Sequence, residues 1–169
     1  MPAPPQLAFT EVHFERDAEA AATFLSQNTW PFHASSTLTI DEARQVRLSP
    51  PDQVRAFWIS ENSAPVGIIR AFDLEHAGTG SVLFDLRIAG QHRGRGIGRA
   101  AVAWIVDRLF ADYPSLHRIE AATRIDNQAM RRALESNQFR LEGQLRQTWS
   151  SDHGTRYDTA LYGRLRTDG

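Results

Sequence analysis

Nine consecutive residues, Gln91-His92-Arg93-Gly94-Arg95-Gly96-Ile97-Gly98-Arg99, combine what a diphosphate needs from a protein. Glycines at 94, 96 and 98 let backbone N–H groups turn toward one point without Cβ obstruction. Arg93, Arg95 and Arg99 add local cations. The stretch falls between a predicted strand and a predicted helix, so its N–H groups sit at the positive end of a helix dipole. A flexible, solvated basic loop has the same composition, and glycine clusters alone are weak signals; the placement between strand and helix is what carries information. Two nucleotide sites are disfavoured. An ATP or GTP loop needs Gly-x-x-x-x-Gly-Lys-Ser/Thr, and no lysine follows these glycines. In a dinucleotide fingerprint the third glycine would come one residue later, and the loop would follow the first strand rather than the fourth.

No other constellation of this kind is present. His33, His92, His117 and His153 lack metal-ligand spacing and no carboxylates cluster with them, so no metal is expected. With no cysteine, disulfides and thiol chemistry are removed, which fits a reducing compartment. The net charge is -1, with acids and bases interleaved, so there is no global field for nucleic acid or anionic lipid. Asp107, Asp112 and Asp126 offset the arginine cluster and Arg131-Arg132, and no nucleic-acid partner is expected. Met1-Pro-Ala-Pro-Pro lacks a basic and an apolar leader region, and no run approaches roughly 18 apolar residues. The expectation is a cytoplasmic protein without a membrane span.

The elements that must position the loop can be read from periodicity. A length of 169 residues is the size of one ordinary domain, here 1–169. A first strand is expected over 7–15, then a helix over 18–27 capped by Asp17. Thr39 and Glu42 form a capping box opening a second helix through about Leu48. Strands over 54–60 and 66–74 flank turn composition at 61–65, and a fourth strand covers 81–88. Apolar residues at helical spacing predict a long helix over 97–110, with Trp104 in the core. A strand over 119–123, a helix over 126–136 and a hairpin of 139–149 with 156–165 complete the order. Adjacent Phe57 and Trp58 should point to opposite faces of the sheet. The order is mixed α/β (α+β), not a regular βα alternation.

Gln91-x-x-Gly94-x-Gly96 resembles the Gln/Arg-x-x-Gly-x-Gly/Ala signature of the GNAT superfamily of N-acetyltransferases, and the element order resembles that fold across nearly the whole chain. The C-terminal half, with Asn127, Met130, Leu134, Asn137-Gln138-Phe139 and Glu142-Gly143, is similar to the branch containing the ribosomal-protein N-terminal acetyltransferases. The resemblance implies a mostly antiparallel sheet of about seven strands, with the fourth and fifth parallel and splayed, flanked by about four helices. It implies acetyl-CoA as co-substrate. Main-chain groups of Leu86, Arg87 and Ile88 would pair with the pantetheine arm, Arg93, Gly94, Arg95, Gly96, Ile97, Gly98 and Arg99 would cradle the pyrophosphate, and Asn127 would contact the cofactor or cap the following helix. It also leaves a homodimer open.

The implied chemistry is direct attack of a primary amine, from a small molecule or a peptide, on the thioester, so alignment and oxyanion stabilisation dominate. A backbone N–H near Ile88 could serve the oxyanion. Amines are mostly protonated at pH 7, which makes a proton acceptor useful. Asp85 on the fourth strand is the first candidate, with a structural hydrogen-bond role as the alternative, and Glu120 on the fifth is the second. Relatives often place Ser at the position of Met130 or Tyr at that of Leu134 to protonate the thiolate, and neither residue here can do so. Water or Tyr157 would then supply the proton, or the protein would be a non-catalytic acyl-CoA sensor or assembly subunit. Trp30, Phe32 and His33 fall in the segment that borders the acceptor groove in the family, which implies substrate contacts from the two aromatic rings and a proton carrier in His33, with core packing as the alternative for Trp30 and Phe32.

Overall fold

Alternation of buried and exposed side chains dictates where each strand must go. In β2 (Val54–Glu61) Phe57 and Ile59 belong to one core cluster, whereas Ala56 and Trp58 pack with another. Phe57 and Trp58 therefore point to opposite faces, as their adjacency requires. The computed structural model describes residues 6–169, and the Met1-Pro-Ala-Pro-Pro stretch lies outside the described residues. Seven strands form one sheet in the order β1-β2-β3-β4-β5-β7-β6. The others are β1 (Leu7–Glu11), β3 (Ala64–Phe72), β4 (Val82–Ile88), β5 (Arg118–Arg124), β6 (Arg140–Ser150) and β7 (Arg156–Leu165). Every neighbouring pair is antiparallel except β4 and β5, which are parallel.

Among the described residues four α-helices cover the two faces: α1 (Phe14–Ser26), α2 (Ile40–Arg44), α3 (Ile97–Asp112) and α4 (Gln128–Glu135). The larger core lies under α3 and α4, where Ile97, Ala101, Ile105 and Leu109 meet Ile69, Val82 and Ile119. The smaller core, around Leu25, Trp30 and Ile68, lies under α1 and α2. Trp104 packs at the edge of the larger core, stacked on Phe9 at 4.4 Å and edge-on to Phe57 at 4.8 Å.

Several boundaries differ from the sequence expectation, most of all those of the first strand and the first two helices. The first strand stops at Glu11, and α1 begins at Phe14 with His13 as N-cap. Asp17 is not the cap: it lies inside the first turn, where its carboxylate accepts from the His13 backbone N–H at 2.9 Å. An acid in a first turn satisfies a free donor from within as well as from the cap. The Thr39/Glu42 capping box is present, but α2 ends at Arg44 rather than near Leu48.

The feature that positions the site is a fork. β4 and β5 pair only at Val82↔Ile119 and Leu83↔Glu120, and beyond Leu83 they share no further ladder pairs. Ala89 donates its N–H to Val66 in β3, and the Arg87 carbonyl is so close to Gly67 that a Cβ there would sit 2.6 Å from its oxygen. Because main-chain groups alternate sides along a strand, those of Phe84, Leu86 and Ile88 face the fork.

Candidate active site

The loop from β4 to α3 brings two glycines of positive φ to the N-terminus of α3, beside the fork. Gly94 and Gly96 adopt φ of 74° and 83°, values that L side chains reach only with strain. Gly96 is the N-cap of α3, and the first bond within the helix runs from Ala100 N–H to the Gly96 carbonyl at 3.1 Å. The N–H groups of Ile97, Gly98 and Arg99 are thus left free by the helix. Gly98 serves contact instead: a Cβ there would meet the Ile88 side chain at 3.4 Å, so glycine lets α3 lie close to β4. Ile97 contributes only its backbone, because its side chain is buried in the core.

The arginines divide differently from the expectation. Arg93 donates Nε to the Ile88 carbonyl at 2.9 Å and Nη2 to the Thr29 carbonyl at 2.5 Å, tying the loop after α1 to the fork. Arg95 is paired with Glu61 at 2.7 and 2.9 Å. Arg99 lines the cavity and makes no ion pair among the described residues, and so does Arg132 of α4, which the sequence reading missed. Its signal was available: Arg132 stands five residues beyond Asn127, on the same helix that Asn127 caps. The backbone donors and the Arg99 and Arg132 side chains are thus left without protein partners among the described residues at the cavity, while Arg93, which also lines it, and Arg95 have their guanidinium groups engaged within the protein.

This cavity, of about 530 Å³, runs from Gly94 and Gly96 past Leu86 and Ile88 to Asn127, Met130 and His33. Leu86 and Ile88 offer main-chain groups to the fork, with the Ile88 carbonyl already taken by Arg93. Arg87 does not, because its main chain faces β3; its side chain lies on the opposite face of the sheet. Asn127 is both cap and lining: its Oδ1 accepts from Met130 N–H at 3.2 Å and its Nδ2 donates to Thr123 Oγ1 at 3.2 Å. Met130 reaches the cavity, whereas Leu134 is fully buried, so neither position offers a proton.

A second cavity, of about 360 Å³, opens on the α1–α2 face, with Asp85, Arg87 and Arg70 in its wall. His33 is the one residue that lines both cavities. Its Nε2 lies 2.8 Å from Asp85 Oδ1, and the other Asp85 oxygen faces Nε of Arg70 and of Arg87, each at 3.3 Å. Burial pushes the Asp85 carboxyl up, but the hydrogen bond and charge of His33 with the charges of Arg87 and Arg70 outweigh it and hold the group far below the usual carboxylate range. A carboxylate so stabilised is a poor proton acceptor at neutral pH. Ionised Asp85 can accept a hydrogen from Nε2, and in the neutral imidazole of that tautomer Nδ1 is the ring nitrogen left with a lone pair.

Other expected residues fall elsewhere. Glu120 lies at the closed end of the fork, bonded to Arg118 at 2.9 Å and to Ser81 at 2.8 Å, and lines neither cavity. Tyr157 also lines neither. Its ring packs 3.8 Å from the Arg124 guanidinium, which covers the Phe32 ring at 4.8 Å and donates to the Pro31 carbonyl at 3.3 Å. Tyr157 thus props the arginine that clamps the Pro31-Phe32 segment. Trp30 is buried, with its indole N–H on the Leu25 carbonyl at 2.9 Å; it holds the segment so that His33 reaches Asp85. Among the described residues no group of three or more His, Asp or Glu is gathered to hold a metal, and no helix is long and apolar enough to cross a membrane.

No curated protein matches the chain. Among solved structures it is similar to RimL, a ribosomal alpha-N-protein acetyltransferase in complex with coenzyme A, with a TM-score of 0.81, 17% identity, and 99% of this chain and 98% of that one covered. RimJ of Mycobacterium smegmatis in complex with CoA-disulfide gives a TM-score of 0.78 at 23% identity over 96% of this chain and 83% of that one. Spermidine N-acetyltransferase of Vibrio cholerae in complex with CoA and spermine gives 0.77 at 18% identity, over 96% and 97%. At these identities the likeness is one of fold. The sequence adds the rest: residues 17–139, which hold the fork, the glycine loop and α4, match the Acetyltransferase (GNAT) family, and the chain belongs to that family.

Proposed function

We propose that this GNAT acetyltransferase moves an acetyl group from acetyl-CoA to a primary amine, with His33 as the proton carrier between the two cavities. The observation that carries the reading is that His33, hydrogen-bonded to an ionised Asp85, lines both cavities. Acetyl-CoA supplies an activated thioester. The N–H groups of Ile97, Gly98 and Arg99, with the Arg99 and Arg132 side chains, fit its diphosphate. The free main-chain groups of Leu86 and Ile88 fit the pantetheine arm, and an N–H of that edge stabilises the charge that develops on the thioester oxygen.

A neutral amine forms the C–N bond as the C–S bond breaks. His33 Nδ1 accepts the proton that the new ammonium nitrogen must lose, and Asp85 stabilises the resulting imidazolium. The same imidazolium can return that proton to the departing sulfur, which removes the need for a donor at Met130 or Leu134. Asp85 is here a positioning residue and His33 the base. The test is thiol release from acetyl-CoA with a panel of primary amines. Amine-dependent release is expected; tight binding of acetyl-CoA with no release for any amine would favour the sensor reading and refute this one.

A further inference from the structure

The cavity on the α1–α2 face carries a surplus of hydrogen-bond donors. Arg87 Nη1 and Trp149 Nε1 are buried without a hydrogen-bond partner, and both residues line this cavity. Buried donors are rarely left unpaired in proteins, and two in one wall mark a place where an acceptor-rich group belongs. Charge points the same way. Two guanidinium groups, Arg70 and Arg87, stand against the single carboxylate of Asp85, and no other acid lines the cavity. Asp85 is itself already engaged by His33, Arg70 and Arg87. Apart from His33 and Ser35 the rest of the wall is apolar, including Leu38, Phe72, Leu83 and Phe84.

We propose that the acceptor amine of this enzyme carries a carboxylate, which takes the Trp149 and Arg87 donors while an apolar body packs on Phe72 and Leu83. This inference rests on the reading of the cavity as the acceptor side. The carboxylate adds negative charge where the wall has an excess of positive charge, and it satisfies donors that an amide or hydrocarbon leaves bare. A polycation fits poorly, because a second ammonium would meet two guanidinium groups and find no free carboxylate.

The test uses glycine, leucine and phenylalanine beside their amides, with spermidine as the polycation, and reads thiol release from acetyl-CoA. Calorimetry with N-acetylleucine, N-acetylphenylalanine and their amides, on the full chain in the presence of CoA, reads binding without turnover. The acids should exceed the amides by about tenfold or more, the effect of one charge-assisted hydrogen bond. Arg87→Gln should abolish the preference, but it also strips Asp85 of a partner. Trp149→Phe keeps a ring and deletes only the donor, and should cut the preference several-fold. A dipeptide amide with aspartate second in sequence locates the source: its turnover above that of its asparagine counterpart assigns the carboxylate to a peptide side chain, and turnover of free amino acids assigns it to the α-carboxylate. Amides equal to acids, a preference for spermidine, or an unchanged preference in Trp149→Phe would overturn the inference. Carboxylate-selective binding with no turnover of any amine would keep the carboxylate site but refute the transfer reading, and with it the assignment of that carboxylate to an acceptor amine.

Discussion

Replacing His33 by alanine separates the proton carrier from everything that holds the site together. Asp85 keeps Arg70 and Arg87, each at 3.3 Å, so the carboxylate remains paired after the imidazole is removed. Its pKa in the folded protein is depressed. The stability it contributes is therefore present above its unfolded value of about 3.9 and is lost only as pH falls through the folded value. Assays between about pH 6 and 9.5 fall outside that window, and Asp85 does not titrate in them. A positioned base contributes about 10² to 10⁴ in rate. At pH 7 an amine of pKa about 8 is about one tenth neutral, and a lysine-type amine of pKa about 10.4 is about one part in 2,500 neutral. His33→Ala should lower kcat/KM by about 10² or more at pH 7, and the deficit should shrink as pH rises and hydroxide or buffer takes over the proton. Initial-rate thiol release across pH, with a thermal melt to confirm folding, measures this. A variant within about threefold of the parent at pH 7, or a deficit independent of pH, would refute the role of His33.

Gly96→Val places a branched side chain at φ of 83° with nothing within 4 Å of its Cβ, so the penalty is backbone strain of about 1–3 kcal/mol and not collision. The thermal shift given by CoA should vanish, and an unchanged shift would remove this loop from the cofactor site. Arg99→Ala and Arg132→Ala should each weaken CoA binding by about tenfold with a shallower salt dependence, while Arg95→Ala, whose guanidinium belongs to Glu61, should leave binding near the parent value by calorimetry. Glu120→Gln should not change kcat. Hydrogen bonding from Arg118 holds the Glu120 carboxyl below its ordinary value, against the opposing effect of burial, so it adds stability above its unfolded pKa of about 4.3 that is lost as pH falls through the lower folded value. Denaturant melts at neutral and acid pH should show the variant destabilised only in the former.

The glycine loop was legible because its chemistry is local: three glycines between strand and helix constrain the backbone whatever surrounds them. The sheet was legible for a similar reason, since alternation in β2 and β4 assigns faces without knowledge of partners. Partnership itself was not. Arg93, Arg95 and Arg99 look alike in sequence, and only the fold shows that the first reaches the loop after α1 and the second reaches Glu61 at the end of β2. Asp85 and His33 are 52 positions apart, and no periodicity links a strand residue to an irregular segment. From sequence Asp85 stands as a candidate base or a structural hydrogen-bond acceptor, and only the fold shows it held among His33, Arg70 and Arg87. Tyr157 and Glu120 were chosen for chemical type, and their type is used in the fold for stacking and ion pairing.

Arginine serves this chain by clamping main-chain carbonyls at the fork and in the segments around it. All 19 basic residues are arginine. Parallel strands that diverge leave carbonyls without ladder partners, and buried carbonyls require donors. One planar guanidinium can reach two such oxygens from a single side chain, which the compact ammonium of lysine does with less geometric definition. Arg93 spans the Ile88 and Thr29 carbonyls, Arg124 joins the Pro31 carbonyl to Asp126, and Arg166 caps the carbonyls of Phe110, Tyr113 and Leu116. The first two of these clamps hold the segment that carries Trp30 and His33 against the open edge of β4. The His33 segment is thus tied to the sheet through the one clamped carbonyl, Ile88, that the splayed edge of β4 exposes. Arg93→Lys, which keeps the charge but loses the fork geometry, should consequently lower kcat more than it weakens CoA binding.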